Sequence, residues 1–425
     1  MLSIGLMSGT SMDGIDAALL QTDGEDELIE LAHIKLNYSP EVQWLLKAAE
    51  RAVSQAKGQI ARANQFYVSA LRYYLQDELH LTPLAIQSAL SNLSQIIYPL
   101  NLSQVVELST QLHADAVNLL LKKSQYQAGK IDVVGYHGQT VLHHPAAKII
   151  IQLGDGQKLA DLTGIRVVNN FRDADIAAGG QGAPFAPLYH QALAKRDGKL
   201  PVMVVNCGGI ANVSCIPDDK VDNLIAFDTG PGNGLIDALV KQRTQGREAM
   251  DKDGQYGRMG QVNEDILTQL THKAITKRPG YFNLRPPKSL DIRDFGLISA
   301  LDALSLADAC ATLEYFTAQT IVNSVQLIPH PQAHIPRHWI LAGGGWHNPI
   351  IRNHLTHLLY AKLGADVVIE TATEAGWTND AIEAQIFAYF AVRRLKNLPL
   401  SVPSTTGVSH PISGGVLHEP SYTRT

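Results

Sequence analysis

The sequence predicts an α/β protein made of two halves with the same pattern. Short apolar runs typical of strands alternate along the chain with longer segments at helical spacing. One order of elements (a strand, a polar glycine turn, two further strands and a helix) occurs twice, about 200 residues apart. The length of 425 residues favours more than one domain, because a domain has about 150 residues on average.

The first copy begins near the N-terminus. We predict strands at residues 3–7 and 15–20, joined by the polar turn 8–14, and a third strand at 28–36. The elements expected after these are helices at 61–79 and 103–121, strands at 131–136, 148–153 and 165–169, and a helix at 184–195.

The pattern starts again after residue 201. Strands are expected at 202–206, 210–215 and 224–227, with a glycine turn at 207–209 between the first two and a helix opened by 230–234. The remaining predictions are a helix at 304–327, a strand at 338–341, a helix from about 348, a strand at 366–370, a helix at 380–395 and an irregular tail from 399.

Composition excludes several classes of protein. The 35 Lys and Arg against 40 Asp and Glu give a net charge of -5, which argues against a broad nucleic-acid surface. The three cysteines form no CxxC pair and fit a reducing compartment. The first residues lack the basic start of an export signal, and no apolar run approaches the ~18 residues of a membrane span. We therefore expect a cytoplasmic protein with neither nucleic acid nor membrane as a partner.

Three glycine-rich turns follow predicted strands, at residues 8–14, 206–210 and 341–346. Glycine lets the main chain approach a ligand closely and direct several N–H groups at it, which suits phosphates. None of the three matches a Walker A loop or GxGxxG. A single glycine turn after a strand is usually only a turn, but three in a repeated α/β pattern favour phosphate binding.

Two aspartates lie at the first turn. Asp13 is inside it and Asp16 lies on the following strand. A carboxylate beside a phosphate is a natural ligand for Mg²⁺, which prefers oxygen. An aspartate that hydrogen-bonds its own turn is the alternative for both.

Residues 169–184 form the most unusual segment, with one arginine, two aspartates and three glycines in four residues. Catalytic residues often lie on such loops, and an aspartate here could act as general base. The alternative is a surface loop with solvated charges.

Polar residues also follow other strands. His137, Gln139, Asp228 and Thr229 come at strand ends, where open α/β sheets bind ligands. A structural histidine is the alternative for His137. Trp346 either flanks a purine or starts a helix, and Glu383 is most simply a solvated helix charge.

Taken together, these segments resemble the anhydro-N-acetylmuramic acid kinase family. The matching residues are 5–16, 135–140, 152–156, 175–184, 206–212, 227–233, 286–289 and 343–345. That family belongs to the superfamily of actin, Hsp70 and sugar-kinase ATPases. The resemblance implies two actin-like (ribonuclease H-like) ATPase domains with a nucleotide cleft between them. We expect an N-terminal domain at 1–198, completed by the helix near 378–396, a C-terminal domain at 199–377 and a tail at 398–425.

The resemblance also implies the site residues. Asp175 matches the catalytic aspartate, and Asp13 would hold Mg²⁺ directly or through water. The implied ATP contacts are Gly9, Thr10, Ser11, Met12, Asp13, Gly14, Ile15, Asp16, Gly208, Gly209, Gly343, Gly344 and Gly345. The implied substrate contacts are His137, Gln139, Gln181, Asp228, Thr229 and Glu383.

The reaction that the resemblance implies converts ATP, water and 1,6-anhydro-N-acetylmuramic acid into N-acetylmuramic acid 6-phosphate and ADP, in bacterial peptidoglycan recycling and amino sugar metabolism. The anhydrosugar site is expected in the N-terminal domain. The family tends toward homodimers. Residues 285–288 and 385–386 depart from the family pattern, away from the glycine turns. The alternatives are a kinase for another 1,6-anhydrosugar such as levoglucosan, and a non-catalytic nucleotide-dependent switch.

Overall fold

The computed structural model describes residues 1–9, 11–144, 147–329 and 335–421, with only the main chain at residue 380. The chain divides into two compact units. Unit 1 contains Met1–Gly182, Asp380–Ser401 and Pro411–Thr425, and unit 2 contains Ala183–Asn379 and Val402–His410.

Unit 1 is built on one mixed sheet. Its strands are β1 (Leu2–Ser8), β2 (Gly14–Thr22), β3 (Leu28–Asn37), β4 (Val133–His144), β5 (Ile149–Leu153), β6 (Val167–Asn169) and β12 (Val416–His418). Its helices are α1 (Pro40–Gln55), α2 (Ile60–Tyr73), α3 (Pro83–Ile96), α4 (Leu102–Ser124), α5 (Gly156–Thr163), α6 (Asp173–Ala177) and α12 (Ile382–Leu395).

The strand order in this sheet is β12-β6-β4-β1-β2-β3, with β5 beside β4. Antiparallel pairs join β1 to β2 and β2 to β3, and parallel pairs join β1 to β4 and β4 to β6. β1 and β2 are almost continuously buried, which fits a sheet covered on both faces.

Two glycines let α12 lie directly on this sheet. A methyl group at Gly5 would overlap the carbonyl oxygen of Ala384, and one at Gly135 would overlap that of Phe387. Because the sheet has no side chains at these points, the helix main chain contacts β1 and β4. This close approach places Glu383, in the first turn of α12, beside the ends of those strands.

Unit 2 contains a second mixed sheet. Its strands are β7 (Val202–Cys207), β8 (Ile210–Ile216), β9 (Ile225–Pro231), β10 (His338–Ala342) and β11 (Val368–Thr371). Its helices are α7 (Pro187–Arg196), α8 (Gly234–Arg243), α9 (Glu264–Lys273), α10 (Leu306–Ser324), α11 (Pro349–Leu363) and α13 (Pro403–Thr406).

The order in unit 2 is β11-β10-β7-β8-β9. Antiparallel pairs join β7, β8 and β9, and parallel pairs join β7, β10 and β11. The same order and the same directions occur in β6-β4-β1-β2-β3 of unit 1. The α/β class predicted from the sequence is confirmed, and the repeated pattern corresponds to two sheets of one topology.

The unit boundary differs from the expected residue 198. α7 belongs to unit 2, because the ring nitrogen Nδ1 of His190 lies 3.3 Å from the Ser214 hydroxyl on β8. Gln191 also donates to the Asp218 carbonyl. The C-terminal segment is not irregular throughout either, since it forms α13 and the edge strand β12, which pairs with β6. Within the described residues, no helix has the length and apolar character needed to cross a bilayer.

Replacement of Gly135 by alanine tests the contact between α12 and the sheet. The new methyl group would overlap a helix carbonyl, so the variant should lose about 1–3 kcal/mol of stability or more. Gly129→Ala is the matched control, because no atom lies within 4 Å of its Cβ position. Thermal unfolding of both variants gives the comparison, and equal melting temperatures would contradict the proposed packing.

Candidate functional site

The first glycine turn (residues 8–14) connects β1 to β2. The Met12 N–H donates to the Gly9 carbonyl at 3.1 Å, and Met12 adopts a left-handed conformation with its side chain buried. The buried Ser8 hydroxyl lies 3.1 Å from the Gly14 carbonyl. The turn is therefore held from within, while Thr10, a predicted ATP contact, lies outside the described residues.

Gln139 holds this turn from β4. Its side chain has no solvent exposure. The amide accepts a hydrogen bond from Ser8 Oγ at 2.6 Å and donates to the Gly9 carbonyl at 3.0 Å. These bonds give no support to the predicted contact between Gln139 and a sugar, and we interpret it as a residue that supports the turn.

Asp13 projects from the turn and keeps about half of its side chain exposed. It accepts hydrogen bonds from Lys35 Nζ at 2.7 Å and from Ser11 Oγ at 2.8 Å. Partial burial raises the pKa of Asp13, but these two donors outweigh it and lower the pKa below its ordinary value. An ionised, accessible carboxylate fits Mg²⁺, and Lys35 competes for it.

The second predicted cluster lies after β6. Asp175, in the short helix α6, is almost fully buried, and its Oδ1 accepts from the Gly182 N–H at 2.7 Å. Arg172 donates to the Gly182 carbonyl at 2.5 Å. Gly179 and Gly182 both adopt positive φ, so the glycines allow the segment to fold back over the two charged residues.

His137 orients Arg172. Its Nδ1 lies 2.9 Å from the Gly138 carbonyl, which can only accept, so Nδ1 carries the hydrogen. Nε2 is then free to accept from the Nε–H of Arg172, at 3.3 Å. Burial and the charge of Arg172 hold the pKa of His137 well below its ordinary value, so the imidazole is neutral. The ring packs 4.4 Å from that of Phe387 on α12.

Arg172 interacts with two acidic groups of unit 1, Asp175 and Glu383. Burial lowers the pKa of Arg172 to about 10, and the charges of Asp175 and Glu383 raise it. Glu383 keeps contact with solvent, yet desolvation and the charges of Asp16 and Asp13 raise its pKa, with Arg172 opposing them. Three predicted residues thus lie near an arginine that was not among them, and two more act on one of these three. The first three are His137, Asp175 and Glu383, and the charges of Asp13 and Asp16 act on Glu383.

Gln181 contacts His143 through its main chain. The Gln181 carbonyl accepts a hydrogen bond from His143 Nε2, at 2.8 Å. The predicted contact of its side chain with substrate stays a prediction.

The second glycine turn (residues 207–210) in unit 2 is bonded to the segment that follows β9. The N–H groups of Gly232 and Asn233 donate to the carbonyls of Gly209 and Gly208, at 3.0 and 2.8 Å. A side chain at Gly232 would overlap the Gly208 carbonyl. The two segments can lie this close only because both are glycine-rich.

The third glycine turn (residues 343–347) lies against the second. A Cβ at Gly343 would lie 2.5 Å from the Cys207 carbonyl, and one at Gly345 would lie 2.5 Å from the Cys207 sulfur. Gly344 faces open space, as do Gly9 and Gly208 with nothing closer than 3.6 Å. Such open main chain suits a phosphate or a nucleotide.

Trp346 anchors the third turn. The indole is buried, and Nε1 donates to the carbonyls of Ala342 and Val205 at 2.8 and 3.2 Å. It lies in the short helix Gly344–His347. Of the two interpretations drawn from the sequence, the structure matches the start of a helix rather than a ring that flanks a purine.

Asp228 and Thr229 are also directed into unit 2. Asp228 Oδ2 accepts from the Leu290 N–H at 2.7 Å, and the Thr229 hydroxyl donates to the Ala211 carbonyl at 3.1 Å. Burial raises the pKa of Asp228 to about 7, and the Leu290 N–H and Lys288 oppose it. These bonds give no support to the predicted substrate contacts, and we interpret Asp228 as a support for residues 281–290 and Thr229 as a support for β8.

Comparison with known proteins assigns the family. The family model for anhydro-N-acetylmuramic acid kinase matches residues 71–420. A relative of that name from Nitrobacter winogradskyi is 41% identical over 424 residues, covering 99% of this chain and all of the relative. The chain belongs to the anhydro-N-acetylmuramic acid kinase family. The resemblance found in the sequence motifs is confirmed.

Other members of the family match as fully. An anhydro-N-acetylmuramic acid kinase from Methylorubrum populi is 39% identical, with 98% of this chain and 99% of the relative covered. Among solved structures, (R)-2-hydroxyglutaryl-CoA dehydratase component A from Acidaminococcus fermentans matches with a TM-score of 0.41 and 11% identity, covering 92% and 99% of the two chains. A ROK family glucokinase from Streptomyces griseus matches with a TM-score of 0.35 and 12% identity, covering 92% and 98%. Likeness at this level carries no conclusion about activity.

The protonation of His137 can be measured directly. We expect the Nδ1–H tautomer and no titration between pH 5 and 8, because burial and Arg172 disfavour the cation. Imidazole ¹⁵N chemical shifts report both properties, and the signals that vanish in His137→Gln provide the assignment. An Nε2–H tautomer, or protonation within that range, would contradict the proposed link to Arg172.

Proposed function

We propose that this chain is an ATP-dependent kinase that opens the 1,6-anhydro ring of 1,6-anhydro-N-acetylmuramic acid and phosphorylates O6, giving N-acetylmuramic acid 6-phosphate and ADP. The observation that carries the proposal is the full-length match to relatives named for this activity. The acidic cluster of unit 1 supports it, because its buried member, Asp175, offers a carboxylate for proton transfer.

Asp175 is the proposed general base. It takes a proton from a water molecule whose oxygen bonds to the anomeric carbon. The bond between that carbon and O6 breaks, and its electron pair stays on O6. O6 then bonds to the γ-phosphorus of ATP, and the bridging oxygen leaves with ADP. One carboxylate thus drives both ring opening and phosphoryl transfer, since the first event creates the acceptor of the second.

The surroundings of Asp175 suit that role. The Gly182 N–H fixes Oδ1, which sets the direction of the carboxyl group. Arg172 keeps a positive charge beside it, and neutral His137 holds Arg172 without competing for the proton. Glu383, which retains solvent contact near the same arginine, is the best placed of the predicted substrate residues in unit 1.

ATP use follows from the family, and we assign its contacts to the predicted glycine turns. The open main chain at Gly9, Gly208 and Gly344 supports this assignment. We propose that Asp13 holds Mg²⁺ directly or through water, where the ion would offset the charge of the phosphates. Peptidoglycan recycling, a cytoplasmic location and a homodimer are further parts of this proposal.

Asp175→Asn tests the assignment of the base. The amide cannot accept the proton, so kcat should fall about 10²–10⁴-fold while folding and ATP binding remain. Asp173→Asn is the matched control, since it lies exposed in the same helix and should retain most of the activity. Coupled ADP release measures both rates. A rate near that of the wild type in Asp175→Asn would remove this residue from the mechanism.

Two substitutions with opposite expected effects test the metal assignment. Asp13→Asn should weaken Mg²⁺ binding in the presence of ADP, because a carboxylate ligand is lost. Lys35→Met should strengthen it, because the competing ion pair at 2.7 Å is removed. Calorimetric titration of the ADP complex with Mg²⁺ gives both affinities independently of turnover. The same direction of change in both variants would contradict a metal role for Asp13.

The alternatives differ in substrate. A levoglucosan kinase would turn over levoglucosan at least as well as 1,6-anhydro-N-acetylmuramic acid, whereas the proposed enzyme should clearly prefer the muramic sugar. A nucleotide-dependent switch would phosphorylate neither sugar. Initial rates on the two sugars therefore separate the three hypotheses.

A further inference from the structure

Two of the buried acidic side chains of unit 2, which the proposed reaction does not use, pack against the same glycine, Gly257. Glu314, in the middle of α10, has no solvent exposure, and Asp251 is 5% exposed. Within residues 1–329 and 335–421, as far as these are described, no lysine or arginine forms an ion pair with either carboxyl group. Two buried carboxylates without a cation would repel each other strongly. One of them must therefore be neutral.

The hydrogen bonds indicate which group carries the proton. Asp251 accepts from the N–H groups of Tyr256 and Gly257, both at 2.9 Å, which stabilises its charged form. Glu314 Oε1 accepts from the Asn348 amide at 2.6 Å, while Oε2 has no donor among the described residues. Gly257, whose N–H donates to Asp251 Oδ2, also packs against Glu314 Oε2, so the two carboxyl groups lie close together. The proton therefore belongs on Glu314 Oε2.

The loop at residues 251–257 packs closely against α10 and the start of α11. A methyl group at Gly257 would overlap Glu314 Oε2, and a Cβ at Gly254, which has positive φ, would lie 2.8 Å from Asn348 Oδ1. Residues 251–257 thus pack directly on the Glu314 and Asn348 side chains. The contact requires glycine at both positions.

Asn348 connects this pair to the third glycine turn. It is the N-cap of α11, and its Oδ1 accepts from the Ile350 N–H at 2.9 Å. Its own N–H donates to the Gly345 carbonyl at 3.2 Å. With Oδ1 occupied by the helix, Nδ2 must point to Glu314. Glu314 therefore fixes the side chain of the residue whose main-chain N–H closes the turn.

We propose that Glu314 is a positioning residue, which carries a proton at neutral pH and, through Asn348, holds residues 343–347 in the conformation that binds nucleotide. The inference rests on the proposed function in assigning this turn to ATP. Glu314 does not touch the nucleotide in this account.

The other titratable groups near Asp251 and Glu314 also favour a protonated Glu314. Burial raises the pKa of Glu314 to about 8, with the Asn348 amide opposing this shift and the charge of Asp251 adding to it. Asp237 faces Asp251, and burial raises its pKa to about 6. Burial and both carboxyl groups raise the pKa of the Cys310 thiol, and Arg243 opposes them. The Tyr256 hydroxyl donates to Glu248, so the groups nearest to Glu314 are acidic or neutral.

Glu314→Gln and Glu314→Ala test the inference together, with exposed Glu264→Gln on α9 as the control. The glutamine reproduces the protonated acid, since it is uncharged and its side-chain oxygen can accept from the Asn348 amide. We expect it to bind ADP within about twofold of the wild type at pH 7. The alanine variant should bind ADP about tenfold or more weakly, with KM for ATP raised and kcat at saturation little changed. Asn348→Ser keeps a helix cap but loses the amide donor, so it should also bind ADP about tenfold or more weakly. This variant tests the inference independently if Glu314→Ala folds poorly.

The pH dependence separates a neutral from an ionised Glu314. Because folding raises its pKa above the unfolded value, its contribution to stability is complete below pH 4.5 and is lost as the pH rises to about 8. The wild-type melting temperature should therefore fall more steeply than that of Glu314→Gln between pH 5 and 8. At pH 9 the wild type should bind ADP more weakly than Glu314→Gln.

Calorimetric titration with ADP distinguishes the failure of this inference from that of the proposed function. If the wild type binds no ADP, both are overturned. If it binds ADP but Glu314→Gln is as weak as Glu314→Ala, the residue acts as a carboxylate and the neutral state is wrong. Wild-type affinity in Glu314→Ala and Asn348→Ser would show that the turn needs no such support.

Discussion

At several points the main chain of each unit lies against another stretch of main chain, with no side chain between them. Gly5 and Gly135 let α12 contact the sheet of unit 1, and Gly232 and Gly343 let three segments meet around Cys207 in unit 2. A Cβ at any of these positions would collide with a carbonyl group. The candidate site depends on this constraint, because it brings the first turn of α12 to the strand ends in unit 1 and brings the glycine segments of unit 2 together.

The acidic groups of the candidate site in unit 1 lie near a partly buried arginine. Arg172 faces Asp175 and Glu383 and is held by a histidine that burial keeps neutral. A second basic residue, Lys35, pairs with Asp13 at the edge of the first turn. The slight negative net charge of the chain therefore does not mean that the cluster lacks cations, and the two basic residues lie where acidic groups would otherwise repel each other.

Much of this could be predicted from the sequence. The apolar runs and glycine turns predicted most of the strands, because burial on both faces leaves a continuous apolar signal. The motifs led to Asp13, Asp175 and Glu383. The sequence patterns could not predict the role of a residue whose contacts come from distant parts of the chain. Gln139, Asp228 and Trp346 look like ligand residues at strand ends, yet each is buried against main chain that the sequence does not reveal. The position of Lys35 near the first turn could have been predicted from the pairing of β3 with β2. The position of Arg172 could not, because it depends on how residues 179–182 fold back.

The order of the segments along the chain has a consequence for synthesis. The chain leaves unit 1 after Gly182 and returns to it only at Asp380. The helix that covers the sheet of unit 1 and the strand that completes its edge thus emerge from a ribosome only after residues 183–379 have been made. Until then the glycine-lined surface of β1 and β4 lacks α12. Glu383 can therefore join Arg172 and Asp175 only after most of unit 2 has been made.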